Sequence, residues 1–345
     1  SILAQSTMLE SRGNKFNPAI GINAMMLMQD SHVDSEEDGF ILQGLELQFS
    51  SDVDAYLRAQ IVVGIHPKEH EEHEEEEHGH GYDVHPEEAY LESTSISGVT
   101  LKAGKFLSQF GKYNAVHLHA LPFVNRGAVQ KYMFGHEGFS STGVAASFLI
   151  PANWFSELSL EALQPSNEEL FEESHHATAY TAKLKNLWDL SDELTFEWGI
   201  SALDYKRAAY NDHEEESTKL VGSDMTFKWR PIKKGKSQSV MWSTEYIHKK
   251  REGSTEVENA GASSFVRFQF KPRWFAQTQY EYLGIDKSID SEYSHNNSVL
   301  LGYAPSEFSV FRLQYDIIKT AEAEEEKRIS LQFNISIGAH PAHNY

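Results

Sequence analysis

Cysteine is missing from all 345 residues, so no disulfide frames the fold; this fits a bacterial envelope protein that does not depend on disulfides. Long apolar runs are missing too. No stretch reaches the roughly 18 residues that a membrane-spanning helix needs, which excludes helical spans. Positive charge is scarce: 30 Lys and Arg stand against 51 Asp and Glu, for a formal net charge of −21. That balance argues against nucleic acid and against a basic patch on anionic lipid, and it favours cations near the surface. No complete signal peptide is legible. Ser1-Ile2-Leu3-Ala4-Gln5 reads as a processed end or a remnant near a cleavage site, and residues 1–16 as an N-terminal extension. Mean hydropathy is negative, −0.48, yet strands in which every second residue is polar average out to such a value.

What the chain does contain is alternation. In Arg328 to Ile337, Ile329, Leu331, Phe333, Ile335 and Ile337 fall on one face, and Ser330, Gln332, Asn334 and Ser336 on the other. Successive side chains of a strand point to opposite sides, so this strand has one apolar face and one uncharged polar face. The pattern recurs about sixteen times, for example at Ile41 to Phe49, Phe155 to Leu163 and Phe311 to Ile317. Connections alternate between tight turns such as Pro151-Ala152-Asn153 and long polar loops. The fold class that follows is all-β: one transmembrane antiparallel barrel, residues 1–345, of about sixteen strands with short periplasmic turns and long extracellular loops. Phe40, Phe49, Trp154, Phe155, Trp229, Trp274, Phe275 and Phe308 sit near strand ends, where interfacial girdles belong.

The polar faces carry both signs of charge: Glu46, Arg58, Lys102, Glu157, Glu161, Lys183, Lys185, Glu197, Lys228, Arg267, Glu281, Arg312 and Asp316. In a dry core each would cost several kcal/mol. They are therefore read as pore lining, in a water-filled lumen of the size at which an aqueous channel opens.

Two connections could carry chemistry. The first, residues 66–88, is a His/Glu-rich stretch read as an external loop, with His66, His70, His73, His78, His80 and His85 as candidate metal ligands. Imidazole and carboxylate suit Zn²⁺ or another borderline divalent cation, although such a tract collects metal by composition without fixed geometry. No cofactor is required. The second, residues 111–138, is more apolar than its neighbours and is read as folded into the lumen, with Asn114, His117 and His119 as constriction residues. His117 and His119 either hydrogen-bond to the wall or share an ion, His136 joining them.

Ala103-Gly104-Lys105-Phe106 through Phe110-Gly111-Lys112, Asn114, His117-Leu118-His119, Leu121-Pro122-Phe123 and the ending Gly338-Ala339-His340-Pro341-Ala342-His343 carry a likeness. They resemble proteobacterial outer-membrane proteins described as porin-like or zinc-regulated, and the Gly-Lys-Phe stretch is similar to phosphate-selective porins. The resemblance implies a barrel in the bacterial outer membrane, a loop folded into its lumen and a link to metal uptake. A 22-strand transporter with a plug domain does not fit in this length. No nucleophile–base constellation, phosphate-binding glycine loop or paired-carboxylate signature stands out, so the chain is expected not to be an enzyme. The expected function is a passive channel for small hydrophilic solutes, leaning to cations and zinc. The alternative is a metal-capturing surface barrel with a closed lumen. Expected partners are outer-membrane lipid and small solutes or metal ions, with a homotrimer suggested by analogy with porins of this size.

Overall fold

The computed structural model describes residues 18–33, 38–68, 81–172, 177–209, 215–254, 256–285, 292–321 and 323–338. The strands are β1 (Ala19–Ser31), β2 (Gly39–Asp52), β3 (Leu57–Pro67), β4 (Tyr82–Ser93), β5 (Val99–Leu107) and β6 (Ser140–Leu149). They continue as β7 (Phe155–Leu163), β8 (Ala179–Ser191), β9 (Leu194–Arg207), β10 (Glu216–Trp229) and β11 (Ser239–Glu252). The last are β12 (Val257–Lys271), β13 (Trp274–Leu283), β14 (Ser294–Ser306), β15 (Ser309–Thr320) and β16 (Glu326–Gly338). Each pairs antiparallel with its sequence neighbour. β1 then pairs with β16, from Gly21 opposite Gly338 to Ser31 opposite Arg328, which closes the barrel and leaves no free edge.

The alternation maps directly onto the wall. Ser330, Gln332 and Asn334 of β16 are buried inside, while Ile329, Leu331 and Ile337 are exposed outside. Outward Val221, Val299, Leu301 and Leu313 extend the same apolar belt around the barrel. Water would leave that belt unburied, whereas hydrocarbon accommodates it. At the short-turn end the outer face carries a row of rings: Trp154 tilted against Trp188 at 6.1 Å between centroids, then the stacked pairs Trp188–Phe196 at 5.4 Å, Phe196–Phe227 at 4.6 Å and Phe227–Trp242 at 5.6 Å. Outward indoles are satisfied on the wall itself, Trp242 Nε1 donating to Ser264 Oγ and Trp198 Nε1 to Ser223 Oγ. This is the girdle of a membrane interface. Placing a charge in the belt tests the assignment. Leu313→Arg, at a position 45% exposed in mid-strand, is expected to cost about 2–4 kcal/mol on folding into lipid vesicles, read by denaturant titration of the refolded barrel.

Several boundaries differ from the sequence expectation. β9 continues through Leu203 and Tyr205, β10 begins at Glu216, and only residues 253–256 separate β11 from β12. The cause is an inversion of the pattern beyond the membrane. There Asp204, Lys206 and Lys219 point outward, while Leu203, Tyr205 and Leu220 point inward and are buried. Strand periodicity survives, but the polar side is now the outer one, because water has replaced lipid. The stretch 66–88 is corrected likewise: β3 runs through Pro67 and β4 starts at Tyr82, so His66, His85, Glu87 and Glu88 are wall residues. The expectation of a wholly wet interior is corrected as well, since two apolar clusters lie inside the barrel.

Candidate functional site

Between β5 and β6 the chain leaves the wall, and residues 108–139 turn into the barrel. The segment contains a 3₁₀ turn, Leu118–Ala120, and a short helix α1, Ala128–Phe134, ended by Gly135 at φ +81°. Two side chains hold it together from within. Asn114, fully buried, donates through Nδ2 to Ser108 O (2.8 Å) and Phe139 O (3.0 Å) and accepts from Phe139 N (2.8 Å), tying the segment's two ends. Arg126 donates to the carbonyls of His136, Tyr113, Val116 and Glu137. Burial lowers the Arg126 pKa to about 10, which leaves the guanidinium charged at neutral pH.

Inward side chains of the wall grip the segment from many directions. Gln43 of β2 donates to Val124 O, and Glu161 of β7 accepts from Ser108 Oγ and Gln109 N. Lys183 of β8 donates to Gly111 O; Ser201 of β9 accepts from Gly111 N, and Glu197 of β9 pairs with Lys112. Glu245 of β11 accepts from Lys112 N at 2.6 Å, and Glu281 of β13 caps α1 by accepting from Ala128 N at 3.1 Å. Arg312 of β15 donates to Leu121 O (2.9 Å) and Phe123 O (3.3 Å), and Asn334 of β16 to His119 O (2.7 Å). Apolar seats complete the fit. Phe123 and Val124 pack with Leu27, Phe265, Phe275, Leu300 and Val310 of the wall, and Val129, Met133 and Phe134 of α1 pack with Leu203, Leu220 and Ile247.

A histidine–carboxylate cluster forms where the segment meets β2, β3 and β4. Two β-bulges lie beside it. Gln43 is an extra residue in β2, between the pairs Met25–Gly44 and Met26–Leu42; Glu87 is an extra residue in β4, between Val62–Glu88 and Val63–Pro86. A bulge resets the alternation, so the adjacent Glu87 and Glu88 both reach inward. His117 Nδ1 lies 2.9 Å from Glu87 Oε2, and its Nε2 lies 3.1 Å from Glu88 Oε2. His119 Nδ1 lies 2.5 Å from Glu46 Oε2, and His66 Nε2 2.6 Å from Glu87 Oε1. His85 Nε2 is 2.9 Å from Glu137 Oε2. Burial alone would push the His117 imidazole down, but its bonds to Glu87 and Glu88 and the field of Glu46 outweigh burial and hold its pKa well above the usual histidine range. Gly64 makes the cluster possible: a Cβ there would collide with Glu87 Oε1 and stand 2.6 Å from His66 Nε2.

The residues read as pore lining therefore have several fates. Glu46, Glu161, Lys183, Glu197, Glu281 and Arg312 bond to the inserted segment, which makes them anchors rather than the lining of open water. Asp316 accepts from Gln314 on its own strand, Arg267 bonds Gln277, and Lys102 stands over the Tyr90 ring at 4.1 Å. Glu157 faces Lys185 across β7 and β8. Arg58 pairs with Asp52 at 2.9 Å and Lys228 lies near it in height, both at the short-turn end. Of the metal candidates, His66 and His85 enter the cluster, whereas His70, His73, His78 and His80 lie outside the described residues, as do residues 1–16 and the motif's end, 339–343. Glu87, Glu88, Glu245 and Arg126 were not singled out from sequence. Pro86 was the available sign for the first two, because proline inside a strand is confined to edges, strand starts and bulges.

Solved structures share this architecture. A trimer form of OmpT, an outer membrane protein of Vibrio cholerae, superposes with a TM-score of 0.56 at 8% identity, covering 93% of this chain and 99% of that one. An anion-selective porin from Comamonas acidovorans gives 0.58 at 8%, covering 92% and 98%. The outer membrane channel DcaP of Acinetobacter baumannii gives 0.58 at 11%, covering 93% and 96%. The chain has the outer-membrane barrel fold. No family model matches it. An uncharacterized protein of Aquifex aeolicus is 28% identical over 302 residues, 75% of this chain, which spans 63% of that relative's length.

Proposed function

We propose that this outer-membrane barrel is a passive channel for small hydrophilic solutes, that segment 108–139 sets its bore, and that it prefers cations, zinc-class ions among them. The observation that carries this reading is the seating of the segment by charged and polar wall groups from β2 round to β16. A barrel built only to persist in lipid has no use for an inward loop with this many polar anchors. The structural neighbours named as porin and channel support the general role. One of them is anion-selective, so the fold does not set the sign of selectivity. In this chain the proposed sign rests on the net charge of −21. Planar-bilayer recordings in a salt gradient test the reading. The expected reversal potential lies on the cation-selective side; anion selectivity, or no conductance steps, overturns it.

A second reading, a closed barrel that captures metal, draws on the apolar packing between segment and wall. It predicts zinc binding without conductance. The resemblance to zinc-regulated outer-membrane proteins suits either reading. A homotrimer is part of the proposal too, in keeping with the trimer form of the Vibrio cholerae protein, and the mass of the detergent-extracted particle reads it.

A further inference from the structure

We propose that the cluster at β2, β3 and β4 binds a divalent cation of the zinc class at two adjoining positions that share Glu87: an outer one formed by His66, His85 and Glu87, and an inner one formed by Glu46, Glu87 and His117. In each triplet the donor atoms lie within 4.8 Å of one another. Zinc holds nitrogen and oxygen ligands at about 2.0–2.2 Å, so donors around one ion lie no more than about 4.4 Å apart, and small rotamer shifts close each set. Neutral imidazole with carboxylate is the donor chemistry of Zn²⁺ rather than of Mg²⁺ or Ca²⁺, which take oxygen ligands.

A second observation favours a cation at this place. Glu46 is 2% exposed, and its Oε1 is buried with no hydrogen-bond partner among the described residues. Its other oxygen is met by His119 and lies 3.9 Å from His117 Nδ1. A carboxylate oxygen stranded in this way is costly unless positive charge joins it. The acids here are met by the imidazoles of His66, His117 and His119.

Groups that hold the imidazoles in orientation are present. His117 keeps Glu88 on the nitrogen opposite the shared acid, and His85 keeps Asp83 at 3.4 Å on Nδ1, the arrangement that orients metal-binding imidazoles. The outer position lies toward the long-loop end, since β3 ends at Pro67 and β4 begins at Tyr82. Residues 69–80, which join those two ends, contain four of the chain's other histidines. The two positions would then take ions from the mouth of the barrel inward, the first contact of a metal with the lumen wall.

The test is isothermal titration of Zn²⁺ into the full-length, chelator-washed barrel in detergent, and into a variant with His70, His73, His78 and His80 all changed to Asn. That variant removes binding by the tract. It is expected to retain a site, to give visible d–d absorption with Co²⁺, and to lose at least about tenfold in affinity on adding Glu87→Gln or His117→Gln. No binding by the four-histidine variant, or affinity unmoved by both additions, overturns the proposal. Should either addition fail to fold, anomalous scattering from a zinc-soaked crystal of the unaltered protein decides: a peak bound to the Glu87 carboxylate supports the site, and its absence there overturns it. Conductance is measured separately on the zinc-free barrel. Loss of one result leaves the other standing.

Discussion

Excising residues 112–137 and joining the ends with a short Gly-Ser linker is expected to raise single-channel conductance several-fold. The ends are already close, Ser108 N donating to Phe139 O at 2.9 Å, so a short linker can close without moving β5 or β6. Removal frees the wall groups Gln43, Glu245, Glu281 and Arg312, all polar and ready to be solvated. A sixteen-strand bore without its filling is wide enough for an aqueous channel. The same excision exposes inward Leu27, Leu203, Leu220 and Phe265 to water, so stability should fall as conductance rises. Planar-bilayer recording checks the first effect and denaturant titration the second. Unchanged conductance would mean that the segment does not define the path.

Asn114→Ala is expected to be the most damaging single substitution in the segment. Its side chain makes three hydrogen bonds to buried backbone at the point where the two ends meet. Truncation strands Ser108 O and Phe139 N, while Phe139 O keeps its bond from Ser108 N, and each buried group left unpaired costs about 1–3 kcal/mol. Even with partial relaxation the loss should reach about 2 kcal/mol or more, seen as a lower unfolding midpoint and noisier open-channel current. Asn114→Asp provides the contrast. It keeps an acceptor for Phe139 N but faces two carbonyls with an anion, so it should be no better than alanine. If the Asn114→Asp variant behaved as the unaltered protein does, the hydrogen-bonding account of the segment's closure would be wrong.

The legible and hidden parts of this protein divide by what imposes the pattern. Within the bilayer, lipid acts uniformly on each strand, so Ile329, Leu331, Phe333, Ile335 and Ile337 declare their face without reference to any other part of the chain. Beyond the bilayer the same rule misleads. Leu203, Tyr205 and Leu220 point inward because inserted residues cover them, and no local signal distinguishes a covering loop from lipid. The bulges at Gln43 and Glu87 hide in the same way, each shifting the phase of alternation by one residue. Reading Glu87 as part of a solvated His/Glu stretch missed a side chain that sits between two histidines.

Amino-acid order alone was enough for the strand number, the antiparallel order, the lipid-facing belt and the candidacy of Asn114, His117 and His119, because periodicity and turn chemistry act over a few residues. Which wall groups meet the inserted segment, and which acids gather around His117, came only from the folded barrel. Those encounters join positions as distant in sequence as Leu121 and Arg312 or His119 and Asn334. Barrel closure is what brings such positions together, since the partner of an inward side chain is set by curvature and register across the whole sheet.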